Sequence, residues 1–517
     1  MKVNIYVLLF LSVTLFQCTR KLPAPQNTPS VKIVSQSPKR EMRGVWVATI
    51  ENIDWPSKKG LSSEAQRNEF SEMISYQADL GFNSVFVQIR AASDAFYARS
   101  SEPWSEWLTG EQGKAPEPFY DPLRFMVEEA HEKNIEFHAW FNLNRGLYRN
   151  SKTLVQDHIT LKHPEWFVSY DGNQVYNFGI PEVRDYITRL VLSVVKSYDI
   201  DGVHFDDYFY PYPVAGQVFD DATTFEKYNR GIVSLTDWRR DNINILVKQI
   251  ADAIKAEKRW VKFGISPFGI WRNSSVDPAG SPTAGGQSYD DLFADTRKWA
   301  KEGWVDYIAP QIYFAFEHPK VPFQPLLDWW ADSGVKCNLF VGHAIYKASS
   351  ESKDLGWSDS RQIPRQIAAA RNRKEVSGSI FYSANWLKKN KLSISDSIQK
   401  AFSTPALVPT IPWKDDIIPA SPQLFKAHKQ DGKAILTWEN VQVSDLMNEA
   451  VCYVVYRFEN NNRDFENPSN ILKVIRNAGE PRYVDNTVEP GKSYFYGLTA
   501  LDRCKNESLP VVSELIK

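Results

Sequence analysis

DGVHFDDYFYPYP, residues 201–213, decides how this chain reads. Val203 and Phe205 alternate with His204 and Asp206, the two-residue period of a β-strand. The strand runs into two consecutive carboxylates, Asp206 and Asp207, and then into Tyr208, Tyr210 and Tyr212 interleaved with prolines. Cleaving a glycosidic bond calls for positioned carboxyl groups and flat apolar faces for the sugar ring. The pattern therefore points to sugar chemistry at the end of a strand.

Working outward, the same kind of strand recurs. RGVWVATI (43–50), SVFVQIR (84–90) and EFHAWFN (136–142) precede GVHFDDY (202–208). KFGISPFG (262–269), YIAPQIY (307–313), CNLFVGHAIY (337–346) and GSIFYSANW (378–386) follow it. Amphipathic segments lie between them, such as 65–81 and 181–199, the latter with Val183, Ile187, Leu190, Val191 and Val194 at helical spacing. Eight strand–helix alternations predict a closed parallel (β/α)8 TIM barrel over residues 41–402, with its active site in the loops after the strands. Those after strands one, three, four and five are long. A proline-rich segment, 403–420, reads as a semi-rigid linker. Alternating strands over 421–517, with Trp438, Tyr494 and Tyr496 in them, predict a C-terminal β-sandwich of fibronectin type III-like kind. That module is expected to be a spacer, or to bind sugar or a partner.

Strand parity selects the candidate site. With Val203 and Phe205 turned to the helices, His204 and Asp206 face the barrel axis. The same argument brings Gln88 and Arg90, then His138, Trp140 and Asn142, then Gln311 and Tyr313, then Tyr382 and Trp386. His138 and His204 sit low in their strands and read as satisfied core residues. Asp206 reads as a catalytic carboxylate, a nucleophile, base or electrostatic stabiliser; its alternative is an ion pair with Arg90 or Arg145, which would also keep it ionised. Asp207 reads as a second carboxyl, a hydroxyl ligand or a loop cap. Glu317, set among Phe314, Phe316 and His318, is a candidate general acid because an apolar setting raises a carboxyl pKa; otherwise it is an exposed loop residue. Asp54 is a further candidate, with Trp55 beside it as a stacking platform. Asn144 and Arg145 join Asn142 as groups suited to hydroxyls or an acetamido group, and Tyr208, Tyr210, Tyr212, Trp271 and Tyr313 are expected subsite walls.

The bulk properties narrow the partners. A net charge of −1 gives no basic field for nucleic acid. Fifteen of the 17 Trp lie between Trp46 and Trp386, which concentrates aromatic surface in the barrel region. The eight His lack metal-ligand spacing, and no glycine-rich phosphate loop follows a strand, so no metal or cofactor is expected. Residues 1–18 read as a signal segment too short to span a membrane. Leu15-Phe16-Gln17-Cys18 resembles a bacterial lipobox, with Gln17 in place of the usual small residue. Cys18 is the expected lipid anchor, and the polar, proline-containing residues 19–40 the tether. Cys452 and Cys504 fall in one small module and would be able to pair in an oxidising compartment.

Six motifs in barrel order carry a family likeness: EMRGVWVATIENIDWPS (41–57), FNSVFVQIRAASDAFYARS (82–100), FHAWFNLNR (137–145), DGVHFDDYFYP (201–211), GISPFGIWRN (264–273) and APQIYF (309–314). Together they resemble the glycosyl-hydrolase-like 10 family over about 40–400. The resemblance implies a (β/α)8 glycosidase fold, a bacterial envelope location and, through a relative, cleavage of peptide-free peptidoglycan near division sites. It places Asp206 and Asp207 in the family's strand-four acidic pair and leaves the second catalytic carboxyl unassigned. The expectation is thus a glycoside hydrolase of envelope glycans, lipid-anchored and periplasm-facing on the outer membrane, with cell-envelope or division-site proteins as possible partners. The alternatives are a hydrolase of another polysaccharide and a non-catalytic glycan-binding lipoprotein.

Overall fold

Eight parallel strands close on themselves in chain order: β1 (Met42–Val47), β2 (Ser84–Arg90), β3 (Glu136–Phe141), β4 (Gly202–Phe205), β5 (Lys262–Ile265), β6 (Tyr307–Ile308), β7 (Asn338–His343) and β8 (Val376–Tyr382), which pairs back onto β1. The computed structural model describes residues 37–516 except 355 and 460; the signal segment, Cys18 and most of the tether lie outside them. Among the described residues no helix is long and apolar enough to cross a membrane.

The parity argument holds strand by strand. Val45, Val47, Val85, Val87, Phe137, Ala139, Val203 and Phe205 belong to the large cluster shared with the surrounding helices. Trp46, Phe86, Trp140, Tyr307, Phe340 and Ile380 form a separate cluster inside the barrel. Burying a ring such as Phe86 there contributes about 2–3 kcal/mol. The rings fit because glycines face them: a Cβ on Gly202 would lie 2.3 Å from the His138 ring, and one on Gly264 2.1 Å from that of Tyr307. The His138 and His204 imidazoles both bond the Tyr307 hydroxyl at 3.0 Å, and burial lowers both pKa values. They are satisfied core residues.

Several strands stop earlier than their apolar runs predict. β5 ends two residues before Pro267 and β6 two before Pro310, and proline has no N–H to give the ladder. β4 ends at Phe205, so the two carboxylates sit just past its last rung. The helices follow the apolar spacing. One spans Ser63–Asp79, capped by the Ser62 side chain on the Ala65 N–H, and buries Phe70 and Ile74. Another spans Pro181–Ser197, with proline in its first turn, and buries Val183, Ile187, Leu190, Val191 and Val194.

The proline-rich segment is not a free spacer. Leu407 pairs with the chain entering β1, Val408 plugs the interior cluster, and Trp413 donates to Asp306 at 3.0 Å. Beyond it lie β9 (Gln423–Gln430), β10 (Lys433–Glu439), β11 (Cys452–Phe458), β12 (Ile471–Arg476), β13 (Arg482–Asp485), β14 (Phe495–Leu501) and β15 (Val511–Val512). They form a three-stranded sheet, β9-β10-β13, and a four-stranded one, β12-β11-β14-β15. Leu436 and Trp438 of one meet Tyr453, Tyr496 and Leu498 of the other in a shared core. This module docks on the lower end of the barrel. The Lys505 ammonium lies 3.2 Å from Glu136, which also pairs with Lys262, and Arg503 covers the Trp260 ring. Cys452 and Cys504 are buried free thiols, which corrects the expected pairing. The Cys452 sulfur is turned to Asn134 of the barrel, 3.9 Å away.

Candidate active site

At the upper end of the barrel, where the strands deliver their last residues, lies a cavity of about 580 Å³. Trp46 and Trp140 reach it from inside the barrel, and Tyr148, Tyr208, Tyr212, Phe268, Tyr313, Phe314, Tyr346 and Tyr382 line it from the loops and strand ends. Asp206 and Asp207 are its buried acids, each 6% exposed.

Each carboxylate is held by different partners. Asp206 Oδ2 accepts from Trp140 Nε1 and Asn142 Nδ2, both at 3.0 Å, and Oδ1 accepts from the Tyr208 N–H at 3.1 Å. Asp207 Oδ1 accepts from Gln311 Nε2 at 3.0 Å, and Oδ2 from the Tyr212 hydroxyl. Burial raises the Asp206 pKa first, the neighbouring Asp207 charge adds to it, and together they push it up to about 6 against the pull of Arg145. Burial raises Asp207 too, although donation from Tyr212 and Gln311 opposes it. Like charges on adjacent residues cannot both ionise freely, so the pair holds one proton as a unit until about pH 6.

The other sequence candidates divide sharply. Trp140, Asn142, Gln311, Gln88, Arg145, Tyr208 and Tyr313 come together at the pair or in the cavity wall. Asn142 also accepts from the Arg145 N–H and so fixes the loop after β3. The Arg145 guanidinium lies 4.4 Å over the Tyr208 ring. Gln88 is committed to structure: its Oε1 accepts from the N–H groups of Thr49 and Ile50 and shapes the loop after β1.

The rest lie elsewhere. Arg90 pairs with buried Glu102 at 2.7 Å, not with Asp206. Glu317 does not line the cavity; it is exposed and bonded to Arg365 at 2.8 Å, a charged and solvated setting rather than the apolar one its neighbours suggested. Asp54 clasps β1 to β8: it accepts from the Ala48 N–H, the Ser383 hydroxyl and the Asn385 N–H, and burial raises its pKa to about 6. Trp55 is fully buried against Phe70 and Phe96, with its N–H on the Gln66 carbonyl, and offers no ring face to a sugar. Tyr210 is buried among Phe178, Phe219 and Phe293. Trp271 stacks on Trp329 and donates to Asp295; Trp386 lies under Lys389; Asn144 is buried, its carbonyl taking the Tyr176 N–H. Tyr210, Trp271, Trp386 and Asn144 do not line the cavity.

Glu51, Trp46, Tyr148, Phe268, Tyr346 and Lys347 line the cavity without having been singled out. Parity on β1, applied as on the other strands, would place Trp46 among the inward residues. The others sit on loops whose paths no periodicity encodes.

The family model described as Glycosyl hydrolase-like 10 matches residues 41–359. The chain is 45% identical over 478 residues to glycosyl hydrolase YngK of Bacillus subtilis (strain 168), an alignment covering 91% of this chain and 92% of that protein. It is 35% identical over 410 residues to glycosyl hydrolase DigH of Escherichia coli (strain K12), covering 74% and 93%. Among solved structures, the glycoside hydrolase domain of PgaB (BpsB) from Bordetella bronchiseptica superposes with a TM-score of 0.44 at 11% identity, over 70% of this chain and 98% of that one. That last likeness carries no argument about chemistry. The family match begins at β1 and runs past β7, taking in every strand that delivers a group to the Asp206–Asp207 pair: this chain belongs to the glycosyl hydrolase-like 10 family and is a glycoside hydrolase.

Proposed function

We propose that this hydrolase cleaves amino-sugar glycan strands of the bacterial envelope, peptide-free peptidoglycan above all, with Asp206 and Asp207 as its catalytic carboxyls. The observation that carries this reading is the buried pair itself, set in an aromatic-walled cavity at the strand ends. A carboxyl pair that keeps a proton to about pH 6 has both forms needed for acid–base chemistry. Tyr208, Tyr212, Phe268, Tyr313 and Tyr382 supply ring faces for the sugars, and Arg145 and Gln311 supply donors.

Anchoring at Cys18 in the outer membrane, facing the periplasm beside envelope or division-site proteins, belongs to the same proposal. The described chain enters the barrel at its lower end, where Arg40 bonds the Lys505 and Val408 carbonyls, and the cavity opens at the other end. The C-terminal module, read as fibronectin type III-like, would brace that lower end.

The test is mass spectrometry of the products from peptide-free peptidoglycan strands, with wild type and Asp206→Asn. Short saccharides released by wild type, and lost by about 10²–10⁴-fold in the variant, support the reading. Strands left whole by wild type refute this substrate.

A further inference from the structure

The two buried carboxyls of the cavity are carried by consecutive residues just past the last rung of one strand, β4. The ordinary retaining and inverting routes instead place one carboxyl on each side of the anomeric carbon, about 5–5.5 Å or about 6.5–9.5 Å apart. Among the described residues lining the cavity, one other carries a carboxyl, Glu51. It is exposed, and its Oε1 is taken by the Asn150 amide. The remaining wall is chiefly aromatic.

We propose that the substrate itself supplies the nucleophile, the carbonyl oxygen of a 2-acetamido group, so that the enzyme is specific for 2-acetamido sugars and retains anomeric configuration. This rests on the amino-sugar hydrolase reading given above. The partners of the two carboxyls divide the labour. All three partners of Asp206 are N–H donors, which cannot accept a proton from it. Asp206 is therefore the fixed acceptor, and its remaining lone pair, on Oδ1, takes the acetamido N–H. Asp207 is bonded by the Tyr212 hydroxyl, which can turn and accept. Asp207 is therefore the carboxyl able to hold the proton and give it away.

In the first step the C1–O bond breaks, and its electron pair goes to the leaving oxygen, which takes the Asp207 proton. The acetamido carbonyl oxygen bonds to C1 and forms an oxazolinium ion, its N–H held against the Asp206 carboxylate. In the second step water adds to C1 from the side the leaving group vacated. Its proton passes to Asp207, the C1–carbonyl bond breaks, and its electrons restore the amide. Trp140, which lines the cavity and bonds Asp206, would take the acetamido methyl, with Trp46 of the same wall.

The experiment uses the full chain, peptide-free peptidoglycan strands, the same strands after chemical N-deacetylation, and the thiazoline analogue of the oxazolinium. Expected are retained anomers by NMR, cleavage of deacetylated strands slowed by about 10³-fold, and thiazoline binding that weakens at least tenfold in Asp206→Asn by calorimetry. Inverted products, equal cleavage of deacetylated strands, or a Glu51→Gln variant as slow as Asp206→Asn would overturn the proposal. If thiazoline binds at the pair while peptidoglycan stays whole, the envelope substrate is wrong and the acetamido route stands. If neither binding nor cleavage occurs, or if only glycans without acetamido groups are cut, the acetamido route falls as well.

Discussion

Trp140→Phe and Asn142→Ala each remove one of the two N–H donors on Asp206 Oδ2, both at 3.0 Å. A donor to a carboxylate favours the charged form, so its loss raises the pKa. A hydrogen bond to a charged group is worth about 1.5–3 kcal/mol, but water from the cavity replaces part of it, leaving about 1 kcal/mol. At 1.36 kcal/mol per pH unit that is a rise of about 0.7 units. The hydrolase needs Asp206 ionised while Asp207 holds the proton, so activity falls as pH drops through the pair's lower pKa, where Asp206 takes the second proton. The acid limb of kcat/KM against pH, measured on peptide-free strands, is expected to move up by about 0.7 units in either variant. Because the two donors share one oxygen, the double variant should move it less than the sum. Trp140→Phe keeps a ring in the wall, so a shift there is not a packing effect. An acid limb that does not move while kcat falls equally at every pH would refute an ionised Asp206, whatever the size of the loss.

Other expectations follow from the same contacts. Glu317→Gln loses an exposed pair worth about 0–1 kcal/mol and should keep activity within about twofold in the same assay. Tyr307→Phe strips the shared partner from two buried imidazoles and should cost about 2–4 kcal/mol in denaturant melts while sparing the acid limb. Glu136→Gln strips the paired carboxylate from buried Lys262 and Lys505, a loss of about 3–5 kcal/mol at neutral pH. Burial would raise the Glu136 pKa, but the two ammonium groups outweigh it and hold the carboxyl far below its usual value of 4.5. Its contribution is then complete above that pH and fades as pH falls below it, so wild-type and Glu136→Gln melts should converge in acid. A constant gap down to pH 3 would refute the ion-pair account.

What the sequence shows of this molecule depends on how locally each feature is encoded. Strand parity is a property of neighbouring residues, so the barrel, its inward-facing side chains and the strand-four pair are legible from Val203, Phe205 and their like. Partner choice is not local. Arg90 faces inward as parity requires, yet it is claimed by Glu102, which arrives on the loop after β2. Trp55 and Asp54 stand beside each other after β1; one is drawn under the first helix by Phe70, the other into a clasp with Ser383 and Asn385, 329 and 331 residues later. Glu317 has the neighbours of a general acid, but it is exposed, pairs with Arg365 and does not line the cavity. The pair at 206 and 207 escapes this ambiguity for a physical reason. Two adjacent buried carboxylates repel each other and need several donors to persist, and the chain supplies five, from Trp140, Asn142, Tyr208, Tyr212 and Gln311. An arrangement that unfavourable in isolation, held from β3, the β4 loop and the segment after β6, is where a fold trades stability for chemistry.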